Sequence, residues 1–83
     1  MRVIIIPIKV SSYAGYKGEE RPAYFTMGGI RYTVLEVLSE WLEEKTDKGR
    51  EKRHYFQIKD ENAKRWKLFY SFNVDGWFLE RKE

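Results

Sequence analysis

Hydrophobic and polar residues alternate along much of this chain with the two-residue period of a half-buried strand. Near the start, Ile4, Ile6, Ile8 and Val10 fall on one face, and Val3, Ile5, Pro7 and Lys9 on the other. Pro7 has no N–H to give to a ladder, which predicts an edge position or a bulge. The stretch "SSYAGYKGEERP" then reads as a loop from its Ser, Gly and Pro content. "AYFTMGGIRYTV" predicts a hairpin, because Gly28-Gly29 suits a two-residue primed turn. In that register Met27 lies opposite Ile30, Phe25 opposite Tyr32 and Ala23 opposite Val34. All six share one face.

The next stretch, "TVLEVLSEWLEEK", supports two readings. Val34, Val37, Leu38, Trp41 and Leu42 recur at helical spacing, and Thr33-x-x-Glu36 has the form of a capping box. That pattern predicts a helix over 34–44. The competing reading continues the strand through a bulge near Glu36, with Tyr32, Val34, Val37 and Trp41 on the core side. After the charged "KTDKGREKR", "HYFQIKD" reads as a strand with His54, Phe56 and Ile58 on one face. "RWKLFYSFN" and "WFLERK" form a second hairpin around Asp75-Gly76. Its registers with a two-residue or a four-residue loop both put Trp66, Leu68, Tyr70, Phe72, Trp77 and Leu79 on one face as a core wall. Phe69 and Phe78 lie on the other face among charges. They are either covered or part of an exposed patch.

Together these elements predict one domain over residues 1–83, mainly β. The expected architecture is a small antiparallel meander or half-barrel of five to six strands, with a helix at 34–44 in the α+β alternative. A chain of 83 residues buries only about 60% of its unfolded surface, so large aromatics fill its small core efficiently. Aromatic residues make up 17% of the chain, so most of them are structural. The absence of cysteine excludes disulfides and thiolate metal sites, and it suits a reducing cytosol. The apolar run "VIIIPIKV" is too short for a bilayer span and lacks the layout of a signal peptide. The expectation is a cytoplasmic protein.

Charge adds one feature. The chain's net charge is only +3, yet Lys45 to Lys67 holds nine basic and four acidic residues, a local balance of +5. A local positive field attracts polyanions. The candidate contacts are Lys48, Arg50, Lys52, Arg53, Lys59, Lys64, Arg65 and Lys67, with Tyr55 as a ring on which a base could stack. The plainer account is a solvated loop and hairpin surface. A second candidate is a partner-binding loop carrying Tyr13, Tyr16, Lys17 and Arg21, since tyrosines among small residues make adaptable contacts. Its plainer account has Tyr16 folded onto the core and Arg21 paired with a carboxylate.

Catalysis has little to work with. His54 is the single histidine, and no cysteine can partner it. Gly15, Gly18, Gly28 and Gly29 do not have phosphate-loop spacing. The carboxylates Glu19-Glu20, Glu43-Glu44 and Asp60-Glu61 are adjacent pairs, which point to opposite sides of a strand. No enzyme, cofactor or metal is expected.

The segments "GYKGEERPAYF", "VLEVLSEW", "YFQIK" and "GWFLERK" resemble a family of short uncharacterised prokaryotic proteins usually labelled hypothetical or cytoplasmic. The most specific pieces are Arg21-Pro22 followed by Phe25, and Trp41 ahead of Tyr55-Phe56. A looser resemblance is to a domain appended to polymerase-like DNA-repair proteins of the error-prone class. The aromatic cluster of those domains after the Trp41 position is here "LEEKTDKGREKR". These resemblances imply a role near DNA and bring no functional residues. Two functions follow as expectations: a module that binds single-stranded nucleic acid weakly, and a protein-interaction module with no nucleic-acid role.

Overall fold

Gly28 and Gly29 both have positive φ, +58° and +79°, and close the first hairpin as a primed turn. The pairing is the expected one, with Met27 opposite Ile30 and Phe25 opposite Tyr32. This computed structural model describes residues 2–12, 21–45 and 50–83. It contains six strands: β1 (Val3–Ser12), β2 (Pro22–Met27), β3 (Ile30–Lys45), β4 (Glu51–Asp60), β5 (Arg65–Ser71) and β6 (Gly76–Lys82). All neighbours pair antiparallel, and the order β1-β2-β3-β4-β5-β6 closes into a small barrel. No helix among the described residues is long and apolar enough to cross a membrane.

The interior is filled by Phe25, Val34, Phe56, Ile58, Trp66, Leu68 and Leu79, with Ile6, Ile8, Val10, Met27, Tyr32, Val37 and Trp77 packed against them. The alternation read from β1, β2, β4, β5 and β6 is therefore the inward and outward alternation of a barrel wall. Pro7 lies on β1 where only β6 pairs with it, opposite Phe78, so it does occupy an edge.

Of the two readings of 34–44, the strand with a bulge near Glu36 forms and the helix does not. These residues belong to β3, which carries two irregularities against β4, between Val34 and Glu36 and between Val37 and Ser39. Each bulge adds one residue to one strand, so inward positions fall three or four apart instead of two. Two bulges in one strand thus reproduce helical spacing. The second bulge also turns Trp41 outward. It pairs with Tyr55, not with the core residues, contrary to the core-side placement in the bulged-strand reading.

The last hairpin differs from both expected registers. Tyr70 pairs with Trp77 and Ser71 with Gly76, leaving Phe72 to Asp75 as the loop. Asp75 takes the positive φ (57°) that lets Gly76 start β6, and its N–H donates to the Ser71 carbonyl at 2.9 Å. Phe72 consequently leaves the core wall and is 38% exposed. At the other turn, buried Asp60 accepts from the backbone N–H of Asn62 (2.8 Å) and Lys64 (3.0 Å) and from Trp66 Nε1 (2.8 Å).

Candidate nucleic-acid interface

The outer face of the sheet begins from a row of directly opposed residues on five strands: Pro7, Phe78, Phe69, Tyr55 and Trp41. Ring centroids lie 5.3 Å apart for Phe69–Phe78, 5.1 Å for Tyr55–Phe69 and 5.3 Å for Trp41–Tyr55. Charged side chains of the flanking rows close over these rings. The Arg53 guanidinium sits 4.4 Å from the Phe69 centroid, and Lys67 Nζ sits 4.8 Å from that of Tyr55. Arg53 donates to the Tyr55 hydroxyl at 3.0 Å and is ion-paired with Glu51. The Tyr55 hydroxyl donates to Glu80 at 3.3 Å, and Lys67 pairs with Glu80 at 2.9 Å. Burial pushes the pKa of the Tyr55 hydroxyl above its ordinary value, against the lowering effect of Arg53.

This arrangement corrects two expectations. Tyr55 does point away from Phe56 and Ile58, but it is only 2% exposed, with Trp41 and Phe69 against its ring. It is not open for a base to stack on. Arg53 is folded over the aromatic row instead of standing in solvent. Phe69 is buried between its row neighbours and Arg53, and Phe78 is half-buried against Phe69.

The remaining basic candidates separate into two groups. Arg50 and Lys52 sit at one end of β4, beside the β5–β6 turn. Asn73 Nδ2 donates to the Arg50 carbonyl at 2.6 Å, and Asn73 Oδ1 accepts from the Lys52 N–H at 3.0 Å. Lys52 Nζ lies 5.0 Å from the ring of exposed Phe72. Lys59 is seven residues further along β4, roughly 23 Å away at the rise of a strand. The 45–67 segment is therefore not one continuous surface.

The Lys59 end is the richer group. Lys59 lies directly opposite Arg65, and Lys82 stands on β6, the strand on the other side of β5. Lys64 Nζ stands 4.3 Å from the Trp66 ring centroid. A shallow cleft of about 390 Å³ is lined by Gln57, Arg65, Trp66, Lys67, Glu80, Arg81 and Lys82. Glu80 is held by Lys67, and Glu36 lies 3.8 Å from Lys59. Among the described residues, no carboxylate forms an ion pair with Arg65, Arg81 or Lys82. The structure thus puts Arg65 and Lys67 in the cleft, with Lys59 opposite Arg65 and Lys64 over the Trp66 ring. It adds Arg81 and Lys82, which the sequence reading missed because they lie outside the basic segment and join it only through strand pairing.

Of the loop candidates, Arg21 pairs with Glu40 at 3.0 Å, and the other oxygen of Glu40 lies 3.0 Å from His54 Nε2. That cluster ties the start of β2 to β3 and β4. Tyr13, Tyr16, Lys17 and Lys48 lie outside the described residues.

Fold and site together define a small closed antiparallel barrel with a filled core and a one-sided basic cleft. No family model, curated protein or solved structure matches the chain.

Proposed function

We propose that this chain is a non-enzymatic cytoplasmic module that binds single-stranded nucleic acid weakly, by its phosphates, across the cleft between β4, β5 and β6. The observation that carries this reading is the direct opposition of Lys59 and Arg65, with Lys82 on the same face of the neighbouring strand. Like charges facing each other across strands destabilise a sheet. A polyanion laid over them removes that repulsion and releases its own counterions. Three strands span about 10 Å at their usual spacing, enough for a few backbone contacts. With the nearby rings buried, attraction comes from charge more than from base stacking. The resemblance to a domain of error-prone DNA-repair proteins points towards DNA processing.

The test is titration of a short labelled oligonucleotide at low and moderate salt. Each neutralised phosphate on a single strand adds about 0.7 to the slope of log affinity against log salt, so three or four contacts give a slope of about −2 to −3. No binding at low salt, or an affinity that ignores salt, overturns the proposal in favour of a protein partner.

A further inference from the structure

Along β1, only Lys9 to Ser12 pair with β2, whereas Val3 to Ile8 pair with β6 alone. Among the described residues, the other side of residues 3–7 is an open sheet edge. The β2–β3 hairpin stops short of it, leaving a notch lined by Pro7, Ile8, Lys9, Thr26, Gly28 and Gly29. The backbone phase of this edge follows from one bond. The Glu83 N–H donates to the Arg2 carbonyl at 2.9 Å, which makes Arg2 and Glu83 a hydrogen-bonded pair. Such pairs alternate along an antiparallel ladder. Ile4, Ile6 and Ile8 therefore bond to β6, and Val3, Ile5 and Pro7 turn their backbone groups to the open side. Val3 and Ile5 are also 51% and 44% exposed.

We propose that this edge pairs with itself in a second copy of the chain, forming a two-fold dimer by antiparallel addition of β1 to β1 centred on Ile5. In this register each Ile5 gives and accepts a main-chain bond with its counterpart. Each Val3 N–H meets the partner's Pro7 carbonyl, for four bonds in all. Pro7 selects the register. Centring on Pro7 would face two residues without N–H groups, and its outer pairs would need Lys9, already bonded to β2. Among the described residues, centring on Val3 brings fewer outward-facing backbone groups together. The apposed side chains are apolar throughout (Val3 with Pro7, Ile5 with Ile5), and Arg2 and Lys9 fall outside the five-residue overlap. The notch beside Gly28 and Gly29, where no side chains project, leaves room for the partner's Arg2 end. An open strand edge is a template for such addition. A five-residue overlap buries well below the roughly 1,200 Å² of a standard stable interface, so the dimer is weak and concentration-dependent.

Sedimentation equilibrium over a wide concentration range tests this, on the wild type and on Ile5→Lys, with Leu42→Lys as the control. Leu42 is exposed on β3 opposite His54, away from the β1 edge and the notch. The wild type and Leu42→Lys should rise from one chain towards two and level off. Ile5→Lys, with two ammonium groups at the two-fold axis, should stay at one chain and keep the wild-type spectrum. In the wild type, exchange of the Ile5 amide should slow as protein concentration rises. A wild type that stays monomeric overturns the proposal. So does an Ile5→Lys variant that associates like wild type, a mass that passes two chains, or an Ile5 amide whose exchange ignores concentration.

Discussion

Trp41 on β3 and Tyr55 on β4 face each other directly and stack with their planes only 7° apart. The pair continues through Phe69 and Phe78 as a second aromatic layer on the outside of the barrel. The chain's many rings therefore serve two layers, one inside and one under a cover of Arg53, Lys67 and Glu80. Arg53 and Glu80 of that cover are structural, whereas Lys67 also lines the cleft beside it, where the charges available for a ligand lie.

The outer layer should contribute to stability as a core does. Tyr55→Ala should cost about 3–5 kcal/mol, the range for a buried aromatic. Arg53→Glu removes the cation over Phe69, the bond to Tyr55 and the pair with Glu51, and should cost about 2–3 kcal/mol. Chemical denaturation measures both. Losses of a few tenths of a kcal/mol would mean that the row is merely a surface decoration.

Asp60 should make the fold acid-sensitive. Burial alone would raise its pKa, but donation from Trp66 Nε1 and the Lys64 and Asn62 N–H groups, with the Lys64 charge, holds it below the ordinary value. A lowered folded pKa means stability that is present above the unfolded carboxylate value near 4 and lost as pH falls through the folded one. Asp60→Ala should cost about 2–4 kcal/mol by leaving three donors without their acceptor. It should also remove this part of the acid dependence. Thermal melts between neutral and strongly acidic pH would show whether it does.

Tyr70 sets the opposite limit. Its hydroxyl donates to Asp75, and this bond together with burial pushes its pKa up to about 12. A raised folded pKa gives stability that is fully present below the unfolded value of about 10 and is lost as pH rises towards 12. Ultraviolet titration should show late tyrosines, the latest of which is lost in Tyr70→Phe. An unchanged titration in that variant would assign the late group elsewhere.

Much of the fold was legible from period alone. The inward sets on β1, β2, β4, β5 and β6 follow from two-residue alternation, and Gly28-Gly29 fixes its hairpin because both positions need positive φ. Residues 34–44 were half legible: the bulged strand, with its bulge near Glu36, was one of two readings, but two single-residue bulges give the spacing of a helix, and the second bulge, which turns Trp41 outward, left no signal of its own. Phe72 was misplaced because Asp75, a non-glycine residue, supplies the left-handed position that closes a four-residue loop. The basic cleft was half legible. Lys59, Lys64, Arg65 and Lys67 are close in sequence, but Arg81 and Lys82 reach them only through the β5–β6 and β1–β6 registers. The burial of Tyr55 and Arg53 depends on four strands at once and has no local signature.

The location of binding tests the functional account most directly. Amide shifts recorded while a short single-stranded oligonucleotide is added at low salt should cluster at Lys59, Arg65, Lys67, Arg81 and Lys82 and collapse as salt rises. Arg65→Glu with Lys82→Glu should abolish them and leave the fold unchanged, because both side chains are exposed. Shifts confined to Arg50, Lys52 and Phe72 at the other end of the barrel, or no shifts at all, would contradict the account.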